Sequence, residues 1–237
     1  MQPSEGAPRR GAGIVAWGGT ALFVASLGYF FFSYVARFEQ PAPETARGAA
    51  IAVNVALFTL FALHHSVFAR ERVRAAVARA VPRRLERAVY VWVASALFIA
   101  VCALWQPVAG LAWEATGPLR WLLIAVQGMG ILLVLSSAAV IDVLELSGVR
   151  QAARPGATAF KASGPYGWMR HPIYTGWMLI VFCAPTMTMT RFVFALVSSV
   201  YLLVAIPFEE RSLAATSAGA YERYARAVRW RLIPGLY

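Results

Sequence analysis

The chain is predicted to be an all-α, polytopic transmembrane helical bundle of about six spans, with a C-terminal helical hairpin and a cytoplasmic capping helix. Three observations predict this. Hydrophobic residues make up 59% of the 237 and charged residues only 14%, well below the roughly 25% charged residues of an ordinary soluble domain. Several apolar runs approach or exceed the roughly 20 residues that a helix needs to cross the hydrocarbon core. The formal charge of +11 rests almost wholly on arginine, with Lys161 the sole lysine, and the arginines gather in the connections between apolar runs. Such placement is the positive-inside pattern of a membrane protein, and it argues against nucleic acid as a partner.

Taken in order, residues 1–12 are small, polar and basic, a composition that predicts disorder. Span one, 13–35, follows Arg9 and Arg10. It is longer than the apolar core of a signal peptide and lacks a convincing small-residue cleavage site, so it is expected to be a retained anchor. Span two, 49–69, carries His64 and His65 near its end. Residues 70–87 then hold Arg70, Arg72, Arg74, Arg79, Arg83, Arg84 and Arg87, which marks the cytoplasmic side. Val73, Ala76, Val77 and Ala80 recur there at helical spacing and predict an amphipathic surface segment. Span three, 88–105, ends at Pro107; the next loop, with Trp113 and Glu114, has no basic residue before Arg120 and reads as the outer face. Span four, 119–141, leads into the longest connection, 142–172, and long connections are disproportionately functional. Cys102 and Cys183 lie inside apolar runs with no pairing or metal-ligand pattern and read as packing residues.

Residues 173–208 form one apolar stretch broken at Pro185 and the Thr-Met-Thr-Met-Thr-Arg run that follows. A single helix of that length would reach about 54 Å, against a hydrocarbon core of about 30 Å. A tight hairpin with arms of roughly 17 residues is the expected solution. The flanking segments are both arginine-rich and belong on one side, so both termini are expected in the cytoplasm. In the tail, Tyr221, Tyr224, Ala225 and Val228 share one helical face, with Glu222, Arg223, Arg226 and Arg229 on the rest. This predicts a surface helix covering the cytoplasmic mouth of the bundle. The whole is read as a single membrane domain, with a four-span part, 1–141, followed by a loop, hairpin and tail, 142–237. No repeat stands out.

Polar chemistry concentrates in two places. Arg170 and His171 precede Pro172, which suits the first turn of a helix, and a glycine-rich approach through Gly164 and Gly167 leads to them. The unsatisfied amides of such a helix start, with Arg170 beside them, can hold a carboxylate or phosphate. An Arg-His pair at a membrane boundary also serves as an interfacial anchor. The expected return of Glu209 and Glu210 to the same level tips the reading toward a cofactor site. Placed at the C-terminal end of the last span, two carboxylates oppose the macrodipole and require a cation: Arg170, Arg211 or a cationic ligand. His64 and His65 read as polar residues of the bundle's inner face rather than as metal ligands, there being no thiolate cluster.

These residues resemble the integral-membrane methyltransferase superfamily that includes isoprenylcysteine carboxyl methyltransferase, phospholipid methyltransferases and methanethiol S-methyltransferase, with the NnrU-type proteins nearby. The likeness rests on Gly164-Pro165-Tyr166, Arg170-His171-Pro172-x-Tyr174-x-Gly176, Glu209-Glu210-x-x-Leu213, and Gly219, Tyr221 and Tyr224 ahead of Ile233-Pro234. Earlier in the chain, His65-Ser66, Pro82 with Leu85-Glu86-Arg87, Trp105-Gln106-Pro107, and Glu145-Leu146-x-Gly148-x-Arg150-Gln151 look like the thiol methyltransferase and NnrU branch. Gly164-Pro165-Tyr166 is closer to the isoprenylcysteine branch.

The resemblance implies S-adenosylmethionine bound in the C-terminal hairpin and capped by the tail, with a small or lipophilic thiol, or a lipid-borne acceptor, entering from the bilayer. It assigns the cofactor to Tyr166, Arg170, His171, Pro172, Tyr174, Gly176, Glu209, Glu210, Tyr221 and Tyr224. The methionyl carboxylate suits Arg170, and the ammonium and ribose hydroxyls suit Glu209 or Glu210. Tyr166, Trp168 and Tyr221 offer an aromatic wall for adenine. Proton removal from a thiol, or stabilisation of its thiolate, falls to His171, His65 or Arg150, with Arg170 beside them. No metal and no obligate protein partner are expected, and the setting is a multi-pass protein of a bacterial inner membrane. Two other readings stay open: a nicotinamide-dependent membrane reductase, whose 2′-phosphate would want a denser basic cluster than Arg170 and Arg211, and an NnrU-like haem-handling protein.

Overall fold

The computed structural model describes residues 9–43, 47–68, 81–141 and 163–237, with positions 73, 79 and 149 besides. Among the described residues seven α-helices carry the fold: α1 Arg9–Phe32, continued by a π-helical turn Ser33–Arg37, α2 Arg47–Phe68, α3 Glu86–Leu104, α4 Gly117–Ile141, α5 Pro172–Phe182, α6 Met189–Thr216 and α7 Ala220–Ala227. Two short strands, β1 Leu111–Glu114 and β2 Thr186–Thr188, pair antiparallel with Trp113 opposite Met187. Five helices, α1 with its π turn, α2, α3, α4 and α6, are long and apolar enough to cross a membrane. The protein is an integral-membrane helical bundle.

Of the start expected to be disordered, residues 9–12 already belong to α1 and the remainder lies outside the described residues. So do Ala76, Val77 and Ala80 of the expected surface segment, Arg150, and the long connection through 162 apart from position 149.

The last apolar stretch folds as a hairpin with unequal arms. In place of two arms of roughly 17 residues, α5 has 11 residues and α6 has 28. Pro185 cannot continue a helix and biases the residue before it toward extended backbone. The chain then stays extended through β2, and Thr188 caps α6 by accepting a hydrogen bond from the Arg191 amide at 3.2 Å. Pro207 lies inside α6, where it removes one amide donor without ending the helix, which runs on to Thr216. Glu209 and Glu210 therefore sit within α6, and the expected opposition between their charge and a helix C-terminus does not arise.

A helix as short as α5 leaves its last carbonyls without helical partners, and hydrocarbon offers no water to satisfy them. Side chains do so instead. Gln127 Nε2 donates to the Ile180 carbonyl at 2.7 Å and Tyr34 Oη to Val181 at 2.6 Å, and just past the helix Trp113 Nε1 donates to Ala184 at 3.1 Å. Arg191 does the same for the π turn after α1. Its guanidinium donates to the carbonyls of Tyr34, Val35 and Thr186 and pairs with Glu39 at 3.0 Å.

The chain divides into two compact units, each described by itself. The first holds α1, α2 from Thr59 onward, and α3. Here Gly18 and Gly19 admit the Trp92 ring against α1, and the indole nitrogen donates to the Val15 carbonyl at 2.9 Å. Phe98 packs on Phe30 and Phe61. The second holds the π turn, the first part of α2, β1, α4 and everything from the α5 hairpin to the C-terminus. Its core is aromatic. Phe194, fully buried, is ringed by Tyr34, Phe38, Phe58, Trp105 and Trp177 at centroid distances of 5.0 to 6.3 Å. Helices α4 and α5 cross at Gly130 and Gly176. A Cβ on Gly176 would lie 2.7 Å from the Gly130 carbonyl oxygen, so only hydrogen fits.

Candidate active site

The site is built at the start of α5. Gly164 adopts φ +59°, a left-handed conformation natural to glycine, and opens a 3-10 turn Gly164–Gly167 that delivers the chain to Arg170. Pro172 takes the first helical position of α5, where its missing N–H is not needed, and His171 is the N-cap. The C-terminal tail then lies along this start. The amides of Arg170 and His171 donate to the carbonyls of Trp230 and Arg231, each at 2.9 Å, and Thr175 Oγ1 donates to Leu232 at 2.9 Å. The amides just ahead of α5 are thus used by the tail, while those of Tyr174 and Thr175 in its first turn donate to the His171 carbonyl at 3.1 and 3.2 Å.

Glu209 and Glu210, carried by α6, face this point. Glu210 is buried and its carboxylate is fully engaged. Oε1 meets Arg170 Nη1 at 3.0 Å and His171 Nε2 at 3.3 Å, while Oε2 accepts from Arg231 Nε and Nη2 at 3.1 and 3.0 Å. Glu209 is different: its side chain is 45% exposed against 11% for Glu210. Its Oε2 accepts from Tyr174 Oη at 2.6 Å and lies 3.7 Å from His171 Nδ1. The Tyr174 ring stacks on His171 with centroids 5.3 Å apart and 18° between planes.

Burial lowers the His171 pKa below its usual value. The Glu209 and Glu210 carboxylates pull the other way without reversing the direction. His171 is accordingly held neutral near pH 7, with Nε2–H directed to Glu210 and the Nδ1 lone pair on the Glu209 side. Arg170 Nη2 also reaches the Arg229 carbonyl at 3.4 Å, and its buried Nε finds no hydrogen-bond partner among the described residues.

An aromatic wall completes the site. The amphipathic pattern of α7 buries Tyr221, Tyr224 and Val228 against Tyr166 and Leu213. Tyr224 Oη donates to the Tyr166 carbonyl at 2.8 Å, which ties the tail to the turn before Arg170. Burial pushes the Tyr224 hydroxyl up to about 12 and raises that of Tyr166 as well, so both remain protonated donors.

Tyr166, Arg170, His171, Tyr174, Glu209, Glu210, Tyr221 and Tyr224 are thus brought to one place, with Pro172 buried beneath them. Gly176 is set apart, in the crossing with α4. Trp168, considered for the adenine wall, is 69% exposed. His65 belongs to the first unit, where Tyr90 Oη lies 2.5 Å from its Nδ1, and Arg150 is outside the described residues. Arg211, considered as a partner for the glutamates, lies over the Phe208 ring instead. The partner that sequence reasoning missed is Arg231, one arginine in a tail that has several. Its only distinguishing mark is its place just before Ile233-Pro234.

Residues 126–215 match the isoprenylcysteine carboxyl methyltransferase (ICMT) family. The chain is 34% identical over 224 residues to methanethiol S-methyltransferase 2 of Bradyrhizobium diazoefficiens, covering 92% of this chain and 86% of that protein. It is 35% identical over 188 residues to methanethiol S-methyltransferase of Mycobacterium tuberculosis, covering 76% and 77%. A lower likeness, 26% over 171 residues, joins it to the Nurim homolog of Drosophila melanogaster, covering 65% and 66%. No solved structure gives a significant match. The matched stretch contains the α5 hairpin and both glutamates, and the likeness to the thiol methyltransferases extends over nearly the whole chain; this protein therefore belongs to their family and is an integral-membrane methyltransferase.

Proposed function

We propose that the protein transfers a methyl group from S-adenosylmethionine to a small thiol of the methanethiol class, at a site facing the cytoplasm of a bacterial inner membrane. The observation that carries this reading is the cluster of Arg170, His171, Glu209 and Glu210 beside the Tyr166, Tyr221 and Tyr224 wall, in a chain whose relatives are named for methanethiol methylation.

The donor set fits the cofactor. An amino-acid head with one carboxylate and one ammonium matches Arg170, whose buried Nε has no hydrogen-bond partner among the described residues, and a glutamate. Tyr166, Tyr221 and Tyr224 supply a flat, half-apolar surface with polar edges, suited to a nucleoside. When bound, S-adenosylmethionine supplies an electrophilic methyl on a sulfonium. The residues of this chain orient the acceptor for in-line approach and exclude water through the tail. A thiol reacts as its thiolate, so its proton must be removed. Neutral His171 is the side chain of the cluster able to accept it. The exposed basic residues Arg211, Arg223, Arg226 and Arg229 around this end support its cytoplasmic placement.

The test uses the full chain in lipid nanodiscs. S-adenosylhomocysteine is expected to raise the unfolding temperature, and labelled S-adenosylmethionine to methylate methanethiol in preference to a prenylated cysteine. Stabilisation by NADPH or haem with none by S-adenosylhomocysteine would overturn the cofactor assignment; methylation of the prenylated cysteine alone would overturn the acceptor.

A further inference from the structure

The two helices that cross at Gly130 and Gly176 differ greatly in length, α4 having 25 residues and α5 only 11. Gln127 on α4 reaches the Ile180 carbonyl, and two residues later α5 is finished. The chain then leaves as extended backbone toward β2, while α4 continues back to Gly117 with no α5 beside it. In the space so left lies a cavity of about 150 Å³. One wall is a single face of α4, on which Arg120, Ile124 and Gln127 recur at helical spacing. Tyr34 and Glu39 close it from the π turn and the loop after it, and Arg191 from the start of α6. The cavity is at the opposite end of α5 from Arg170 and uses none of the residues of the candidate active site.

Its lining carries two guanidiniums and one carboxylate. Arg191 is buried and nearly spent: Nε, Nη1 and Nη2 donate to the carbonyls of Tyr34, Thr186 and Val35, and Nη2 also meets Glu39. One Nη1 hydrogen is left over among the described residues. Arg120 is exposed and has neither hydrogen bond nor ion pair among the described residues. Glu39 gives Oε2 to Arg191, and its Oε1 has no partner among the described residues.

The setting says what these groups meet. Arg120 stands in the first turn of a membrane-crossing helix, between Leu119 and the neighbouring Trp121 and Leu122, all three exposed. An aromatic and apolar surface at such a helix end is the mark of the lipid interface. A guanidinium at that depth is best satisfied by a lipid phosphate. A bare phosphate would bring its charge toward Glu39 with nothing to match it. A headgroup with a phosphate and a primary ammonium a few atoms apart matches both signs.

We propose that this cavity is a headgroup site for a phospholipid of the ethanolamine class. Its phosphate is held by Arg120 and the remaining Arg191 hydrogen, its ammonium by Glu39, and its acyl chains follow the exposed apolar side of α4. The lipid fills the place that α5 is too short to reach, and it braces the Arg191 contacts that join the π turn to the start of α6. This site is independent of the cofactor reading above.

The experiment uses the full chain, stripped of lipid in detergent. Unfolding temperature is followed on titration with dihexanoyl phosphatidylethanolamine, dihexanoyl phosphatidylglycerol or inorganic phosphate, and native mass spectrometry counts bound lipid. The ethanolamine lipid is expected to bind as a single adduct, about 10-fold more tightly than the glycerol lipid, the scale of one charged hydrogen bond. Arg120→Gln should weaken it by about 10-fold and leave the lipid-free unfolding temperature unchanged, since Arg120 holds nothing else. Ile124→Trp fills the cavity without touching a charge and should also remove binding. Glu39→Gln should abolish the preference between the two lipids. A wild type that responds equally to both lipids overturns the proposal, as does a response to inorganic phosphate as large as that to lipid, or an Arg120→Gln protein that binds as the wild type does.

Discussion

Arg170 is shared between the Glu210 carboxylate and the Arg229 carbonyl, with its Nε left over among the described residues. Removal of the guanidinium leaves Glu210 paired with Arg231, so the fold should tolerate it better than binding does. Arg170→Ala is expected to weaken S-adenosylhomocysteine by about 10-fold or more, with helical content and membrane insertion unchanged; calorimetry and circular dichroism check both. His171 gives a pH signature. Its folded-state pKa lies below the unfolded value of about 6.5, so its contribution to stability is complete above that value and declines as pH falls through it. As the proposed base it must be neutral, so kcat/KM should drop on the acid side at a pH below 6.5, and His171→Asn should abolish that limb; a rate profile on methanethiol reads it. Arg170, His171, Glu209 and Glu210 were visible in the sequence because charge is sparse in so apolar a chain. Arg231 was not, since its neighbours Arg226 and Arg229 look alike in one dimension and only the fold brings one of the three to Glu210.

The elements show where length arguments succeed and where they stop. The stretch 173–208 is too long for one crossing, and a hairpin follows from that alone. The division into 11 and 28 residues does not, because it depends on distant partners. Gln127 on α4 and Tyr34 in the π turn hold carbonyls at the end of α5, Trp113 on β1 holds one just past it, and no local pattern advertises them. The β1–β2 pair escaped notice for the same reason, each strand being only three or four residues long. The α4–α5 crossing makes a prediction at this scale. Gly176→Ala brings a methyl within 2.7 Å of the Gly130 oxygen and of Val134 Cγ2, an overpacking of about 1 to 3 kcal/mol. The unfolding temperature in nanodiscs should fall, and cofactor affinity should fall only with it if the residue packs and does not bind.

For the whole molecule, hydropathy and arginine placement were enough to read a polytopic helical protein, and motif order along the last third was enough to read a methyltransferase. Sidedness is argued from charge: a fluorescent reporter after Tyr237 should be bright in the cytoplasm and a phosphatase at the same point inactive, whereas an active phosphatase would move the tail and its site to the other face. One consequence joins the far ends of the hairpin. Helix α5 is tied at its start by Thr175 and the His171 amide to the tail, and at its finish by Gln127 and Tyr34. A helix pinned at both ends has a phase as well as a length. Each residue turns it by about 100°, so one residue gained or lost between the two ties would swing either His171 away from Glu210 or the Val181 carbonyl away from Tyr34. The count of residues in α5 therefore shapes the candidate site as much as any side chain in it, and insertions in the loops around this helix should be tolerated far better than a change in its length.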